Sequence, residues 1–214
     1  AAAAAATAAP SPARRQQLLD DDVAGVRHSV MEALEKVGPD LNTLTEPLLA
    51  NLNPKQLNAL QIVLLRQRKG WLREQWSKWH VYEGRAKRIE TAMDLLVKFQ
   101  LGFDFPIALG DLLDDLALQF QYTGADCDAL ALAKFLFEEC VLHGNKNDFH
   151  NPLNSNLVSV IISKKGIPIS LVSIYMLVGQ RLGLDIEGCD VPNHFLARVV
   201  YNGDILLVDC FSRG

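Results

Sequence analysis

The sequence lacks the features that mark several common classes of protein. It has only four cysteines and no CxxC pair, which excludes a disulfide framework and a zinc-ribbon signature and favours reduced thiols in the cytoplasm. No apolar run approaches the roughly 18 residues of a transmembrane helix. With 21 basic and 25 acidic residues the formal charge is −4, which argues against general nucleic-acid binding. There is no P-loop, GxGxxG, GxSxG or EF-hand motif, so we expect no cofactor.

Composition and charge divide the chain into three parts. Residues 1–17 form a low-complexity tail, whose alanine and arginine content keeps organellar import open as an alternative to a cytoplasmic location. Residues 18–104 are predicted to be helical. Residues 1–104 together have a net charge of +2, whereas residues 105–214 have a net charge of −6. The chain stops at Gly214 just after a strand-like segment, which leaves open that this last part is truncated.

Apolar periodicity predicts a series of helices in the first two thirds of the chain. One runs from Leu18 to Val37, another opens at Asn53-Pro54, and a third covers residues 71–101. A further helix extends to Thr123-Gly124, and the next is capped by Asp126 and stops at Gly144.

The pattern changes towards the end of the chain. Asn154 or Ser155 can cap a helix over residues 156–165, and Pro168 begins one that is apolar nearly all round and should be buried. Strand-like segments follow, and Asn202-Gly203 is a strong signal for a two-residue hairpin turn. Helices followed by an antiparallel sheet predict an α+β fold.

A basic aromatic segment, residues 66–88, contains eight basic residues, two acidic residues and all three tryptophans. On a helical wheel the aromatic residues fall on one side and most basic residues on the other. This pattern fits a core-facing stripe with a solvated back, or a binding face for an acidic partner. Neither a membrane surface nor nucleic acid is the expected partner, and the residues of the candidate partner surface are Arg66, Lys69, Trp71, Arg73, Trp76 and Trp79.

The predicted hairpin brings two polar side chains together. If Asn202-Gly203 is the turn, Leu196 faces Asp209, and His194 becomes a diagonal neighbour of Asp209, about 7–8 Å away at the backbone. A carboxylate beside an imidazole can fix its tautomer and raise its basicity. The pair is therefore either a structural contact at the rim of the sheet or the base and orienting residue of an enzyme.

Five ordered blocks within residues 113–214 resemble the transglutaminase-like core family of bacterial SirB-type proteins and some F-box proteins. They are LDDLALQFQYTG (113–124), FLFEECVLHGNKNDFHNPLNSNL (135–157), GIPISLVSIYMLVGQRLGL (166–184), PNHFLARV (192–199) and VDCFSRG (208–214). The resemblance implies a papain-like fold with a central helix packed on an antiparallel sheet. It also implies a nucleophilic cysteine at the start of that helix, a histidine on one strand and an aspartate on the next. By position, the last two roles fall on His194 and Asp209.

The resemblance places Pro168 where active family members carry the nucleophile, a departure typical of the SirB-type branch. Ser170 lies two residues further on and should face away from the position of Pro168. Cys210 should point to the sheet face opposite to Asp209, and the sequence does not place Cys189. Glu139, His143 and His150 lack further ligands at a recognised spacing, so we expect no metal site.

These observations predict a non-catalytic, regulatory module that binds a protein or peptide. His194 and Asp209 would be polar anchors in a cleft that also includes Pro168, Asn154, Ser155 and Asn193. The alternative is a hydrolase or acyltransferase that uses Ser170 or a relocated cysteine with the His194–Asp209 pair. A third reading is a purely structural module whose cleft is filled.

Overall fold

The computed structural model describes Glu32 and residues 52–103, 105–192 and 194–212. The predicted helix from Leu18 to Val37 therefore lies outside the described residues except for Glu32, and so does Asn193. The described part of the chain forms two compact units. One contains Glu32, residues 52–74, and residues 102 and 103; the other contains residues 75–101, 105–192 and 194–212.

Helix α1 (Pro54–Trp76) makes up most of the described part of the first unit, and its last two residues belong to the second unit. The Asn53 side chain accepts a hydrogen bond from the Gln56 amide, and the Gln56 side chain accepts one from the Asn53 amide, both at 3.0 Å. This reciprocal cap, with proline at the first helical position, explains why the helix begins where the sequence predicts.

The predicted helix over residues 71–101 is wrong as a single element. Helix α1 ends at Trp76, a 3₁₀ turn covers Trp79–Val81, and α2 (Arg85–Leu101) begins after Gly84, whose φ is +82°. Aromatic residues spaced three apart fit a 3₁₀ turn as well as an α-helix, which is why periodicity did not reveal the break. Helix α2 belongs to the second unit, so that unit includes residues that precede the expected domain boundary at residue 104.

Two helices follow in the second unit. Helix α3 (Leu109–Tyr122) ends at Thr123-Gly124 as predicted, and α4 (Ala129–Lys134) continues as a π-helical turn over Phe135–Glu139. Asp128 caps α4 by accepting from the Ala131 amide at 2.8 Å, so the predicted cap at Asp126 is wrong.

A short parallel bridge interrupts the helices. Strand β1 (His143–Gly144) pairs with β2 (Lys165–Gly166), and these strands flank a 3₁₀ turn (Pro152–Ser155) and helix α5 (Leu157–Ser163). Asn156 caps α5 by accepting from the Ser159 amide at 3.0 Å. The predicted capping by Asn154 or Ser155 is therefore wrong, because both residues belong to the preceding turn.

Helix α6 (Pro168–Arg181) is the centre of the hydrophobic core. It begins at Pro168, as predicted, and it packs against α3, β3 and β4. Its buried apolar side chains point in nearly every direction, as the sequence predicts for a central helix; they are Leu171, Val172, Ile174, Tyr175, Leu177 and Val178.

The strands β3 (Ile186–Val191), β4 (His194–Tyr201) and β5 (Asp204–Val208) form an antiparallel sheet in that order. Asn202 and Gly203 have φ values of +53° and +89°, which a type I′ turn requires. Ala197 and Val199 face the core, whereas Val200 lies on the outer face. The predicted α+β fold is confirmed.

Candidate functional site

The first turn of α6 holds the position at which the family resemblance expects a nucleophile. Pro168 is half-buried there, and Ile167, in an extended conformation, precedes the helix. A proline suits this position because the first helical amide has no partner within the helix. Its side chain provides no thiol or hydroxyl.

Ser170 is buried, and its hydroxyl is occupied by the backbone. Its oxygen accepts from the Ile167 amide at 3.0 Å, and its proton has two acceptors within reach, the carbonyls of Asn154 at 2.7 Å and Ile167 at 2.9 Å. The hydroxyl thus ties the first turn of α6 to the preceding 3₁₀ turn.

Asn154 is the buried centre of a network of asparagines. Its amide nitrogen donates to the carbonyls of Asp148 and Phe149, and its oxygen accepts from Asn145. Ser155, the next residue, is exposed. The Asn154 side chain therefore fixes the loop over residues 145–154, and of these two predicted cleft residues only Ser155 faces solvent.

His194 begins β4 and Asp209 follows the end of the neighbouring strand β5, but the two side chains are not hydrogen-bonded to each other. His194 is the exposed first residue of β4 and pairs with Val191. Strand β5 ends at Val208, and one carboxylate oxygen of Asp209 accepts from the amides of Phe211 and Ser212 at 3.1 and 3.2 Å. Among the described residues no hydrogen bond connects the His194 ring with Asp209.

The predicted pair Leu196–Asp209 is not formed. The ladder between β4 and β5 ends at the pair Ala197–Val208. The chain then turns away, and the Phe211 carbonyl accepts from the Gly144 amide of β1 at 3.1 Å. After Val208 the chain is therefore hydrogen-bonded to β1 and not to β4. The hairpin pattern does not predict this contact, because β1 is distant in the sequence.

The register of the sheet now places Cys189. It pairs with Leu196, while His194 pairs with Val191, so Cys189 and His194 lie on the same face as diagonal neighbours, about 7–8 Å apart at the backbone. Cys189 is half-buried.

Cys210 lies on the core side, as the alternation of the strand predicts. Its side chain is fully buried, and burial, followed by the nearby Asp209 charge, raises the pKa of the thiol. A raised pKa disfavours the thiolate, which is the nucleophilic form of cysteine.

The candidate partner surface is divided at the end of α1. Arg66, Lys69 and Arg73 are exposed, and the Trp71 ring contacts the Phe103 ring edge-on at 4.8 Å. Trp76 is exposed at the end of α1, and its ring lies 6.0 Å from that of Trp79 in the 3₁₀ turn. The predicted single aromatic stripe is therefore wrong beyond Trp76, because the helix ends there.

Metal ligands do not cluster in the described part of the chain. Glu139 ends the π-helical turn and His143 lies in β1, so they do not share a helix face. The described residues contain no group of three or more histidine, cysteine, aspartate or glutamate side chains that could hold a metal ion. Nor does any described helix have the length and apolarity to cross a membrane.

Family models show to which superfamily this chain is related. Residues 107–214, about half of the chain, match the model of the transglutaminase-like superfamily. The chain belongs to this superfamily. The matched residues include the central helix α6, the whole antiparallel sheet and both His194 and Asp209.

Similar proteins come from bacteria and animals. A UPF0162 protein of Xylella fastidiosa is 37% identical over 84 residues, which cover 39% of this transglutaminase-like chain and 30% of that protein. The human F-box only protein 21 is 30% identical over 142 residues, which cover 59% of the chain and 22% of that protein. The chain therefore spans less than a third of the length of these relatives, and no solved structure matches it.

The match to the F-box only protein extends beyond the superfamily domain. Because it covers 59% of the chain, and residues 107–214 are about half of it, part of the match precedes residue 107. Part of the chain before residue 107 is thus also similar to that protein, a similarity that sequence reasoning missed.

Sequence reasoning also missed the asparagine network. Five asparagines within residues 145–156 were an available signal, because asparagine side chains often bond to nearby backbone groups in turns. The parallel bridge between β1 and β2 had no comparable signal, since two residues are too few to show a period.

Proposed function

We propose that this transglutaminase-like chain is a non-catalytic binding and regulatory module of the SirB-type branch, which holds a protein or peptide segment. The observation that carries the proposal is Pro168 at the first position of the central helix, where the resemblance expects the nucleophilic cysteine. Without a nucleophile, an imidazole and a carboxylate lack the group that forms the acyl intermediate.

The surroundings of Pro168 support this proposal. A serine acting as nucleophile needs a base within hydrogen-bond reach. The Ser170 hydroxyl instead contacts three backbone groups and is buried.

His194 and Asp209 serve as polar anchors in this proposal. The exposed His194 ring can donate to or accept from a peptide group, and a second oxygen of Asp209 is available in addition to the one that accepts the turn amides. Pro168 and Ser155 complete the proposed cleft, and the sequence-based prediction adds Asn193, which lies outside the described residues. Similarity to an F-box only protein supports a role in protein interaction, and we place the module in the cytoplasm.

The basic aromatic segment is a second proposed contact surface for a protein partner. Three exposed basic residues, Arg66, Lys69 and Arg73, occupy the part of α1 that belongs to the first unit, and the exposed Trp76 belongs to the second unit. Exposed basic side chains suit an acidic protein surface, and both arginine and tryptophan are enriched at protein interfaces.

The binding proposal is tested with peptides selected from a random display library on the whole chain. Fluorescence polarisation then compares the wild type with His194→Ala, Asp209→Asn and Tyr122→Ala, the last at an 81% exposed position outside the cleft. We expect at least fivefold weaker binding for the two anchor variants and no change for Tyr122→Ala. Equal affinity for all four proteins would contradict the proposed cleft.

One observation favours an alternative function, a hydrolase or acyltransferase with a relocated nucleophile. Cys189 and His194 lie on the same sheet face as diagonal neighbours, and a histidine near a cysteine can generate a thiolate. In this alternative, Asp209 would orient the imidazole with its second carboxylate oxygen, since the first accepts the turn amides.

Alkylation kinetics separate the two functions. The rate of iodoacetamide modification at Cys189, followed by peptide mass spectrometry, is compared between the wild type and His194→Ala at several pH values. The binding module predicts the same pH profile for both proteins. A profile shifted to lower pH in the wild type alone would support the enzyme.

A further inference from the structure

An open cavity of about 280 Å³ lies between the parallel bridge and the turn that follows β5. It is distinct from the proposed cleft, because none of Pro168, His194 and Asp209 lines it. Its principal side chains are His143, Lys146, Asn147, Lys165, Phe211 and Ser212.

The lining of this cavity has charge of one sign. Two lysines and a histidine contribute to it, and none of its lining residues is acidic. Neither Lys146 nor Lys165 forms an ion pair with a carboxylate in the described part of the chain, and both side chains are exposed. The second unit has more acidic than basic residues, so the charge of this cavity is opposite to the net charge of the unit.

The walls of the cavity are held in place by contacts that do not involve the lysine side chains. His143 pairs with Lys165 across the parallel bridge, and Gly144 lies so close to the Phe211 ring that an added Cβ would be 2.4 Å from it. On the other side, Asn145 donates to Asn154 at 2.9 Å.

These contacts leave the lysine ammonium groups without a structural partner while fixing the backbone that carries them. A rigid backbone lowers the entropy cost of binding, and unpaired cations in a recess attract an anion. The recess is close to the lower limit of typical ligand pockets, about 300 Å³, so it admits one or two side chains rather than a large cofactor.

We propose that this cavity binds the carboxylates of an acidic peptide segment. Lys146 and Lys165 would contact the carboxylates as point charges, Asn147 and Ser212 would donate hydrogen bonds, and the Phe211 ring would pack against the aliphatic part of a glutamate. The inference goes beyond the proposed function, since it assigns a different set of residues and the chemistry of the ligand.

The test uses a fluorescein-labelled peptide with four glutamates separated by glycines, and the same peptide with glutamines. Fluorescence polarisation at low salt measures binding to the whole chain. We expect saturable binding of the glutamate peptide only, and about tenfold weaker binding to the double variant Lys146→Gln/Lys165→Gln, since each exposed ion pair contributes up to roughly fivefold.

The matched control is Lys55→Gln/Lys134→Gln, which makes the same change in net charge at exposed lysines outside the cavity. It should bind like the wild type. Lys165→Glu provides a second variant that should abolish binding, and unchanged melting temperatures would show that these variants fold.

Three results would overturn the proposal. They are equal binding of the glutamine peptide, equal loss in both double variants, and no saturable binding of the glutamate peptide. Binding of inorganic phosphate in the absence of peptide binding would also overturn it, since the cavity would then be a phosphate site.

Discussion

The Ser170 hydroxyl has a structural role, which follows from its hydrogen bonds to the backbone. Replacement by alanine removes a hydroxyl that contacts Ile167 and the Asn154 carbonyl in the core. We expect Ser170→Ala to lower the free energy of unfolding by about 1–3 kcal/mol, because buried backbone groups lose their partner. Urea denaturation measures this, with the exposed Ser155→Ala as a control that changes stability by less than about 0.5 kcal/mol. Unchanged stability together with loss of an acyl-transfer activity would contradict the structural role.

Cys210 makes stability depend on pH in the alkaline range. Burial raises the pKa of its thiol above the usual 9.0, so the unfolded chain loses this proton at a lower pH than the folded chain. The contribution of the Cys210 thiol to the free energy of unfolding is complete below pH 9 and is lost progressively as the pH rises above it. The stability gap between the wild type and Cys210→Ala should therefore narrow by about 1–2 kcal/mol between pH 7.5 and 10.5.

Urea unfolding at the two pH values measures this gap. The gap between the wild type and Cys127→Ala should not change, since Cys127 is exposed. A gap for Cys210→Ala that stays constant or widens would show that the thiol ionises at least as readily in the folded chain as in the unfolded one.

At the scale of elements, the beginning of α4 provides a matched pair of aspartates. Asp128 accepts from the Ala131 amide, whereas Asp126 is exposed two residues earlier. We expect Asp128→Ala to cost about 1 kcal/mol of stability, the usual value of a lost N-cap, and Asp126→Ala to cost less than about 0.5 kcal/mol. Thermal unfolding of both variants decides between the two positions, and a larger loss for Asp126→Ala would contradict the observed cap.

The elements that sequence predicts well have local causes. The hairpin turn at Asn202-Gly203 and the start of α6 at Pro168 follow from backbone preferences of those residues, and both are confirmed. The division of the predicted helix over residues 71–101 depends on a 3₁₀ turn that shares its aromatic spacing. Likewise, neighbouring polar residues such as Asp126 and Asp128 are equally able to cap, and packing selects one.

At the scale of the whole second unit, Arg181 joins three helices. From α6 it donates to Glu90 of α2 at 2.9 Å and to Asp114 of α3, and its side chain is largely buried. Arg181→Met should cost about 1–3 kcal/mol, because it removes the close cationic partner of the mostly buried Glu90 and leaves only Lys87 at 3.9 Å. Lys98→Met removes an exposed ion pair within one helix and should cost less than about 0.5 kcal/mol. Equal effects in chemical denaturation would contradict the linking role of Arg181.

The residues of the candidate site could be predicted from the sequence, but their contacts could not. The sequence and the family resemblance predict that His194, Asp209 and Pro168 belong to the candidate site. The superfamily itself is confirmed. The end of the β4–β5 ladder before Asp209 could not be predicted, because the chain beyond Val208 is hydrogen-bonded to β1 through Phe211 and Gly144, which are more than 60 residues apart in the chain. The same long-range contact shapes the cation-lined cavity, so neither its walls nor its charge could be derived from local pattern.

The most direct test of the central claim is intact-protein mass spectrometry after incubation with an activated acyl ester. The wild type and His194→Ala are treated in parallel and examined for a covalent acyl adduct. A binding module predicts the same background in both proteins, with no adduct that depends on His194. An acyl adduct on Ser170, Cys189 or Cys210 that forms in the wild type and disappears in His194→Ala would show that the chain is an enzyme.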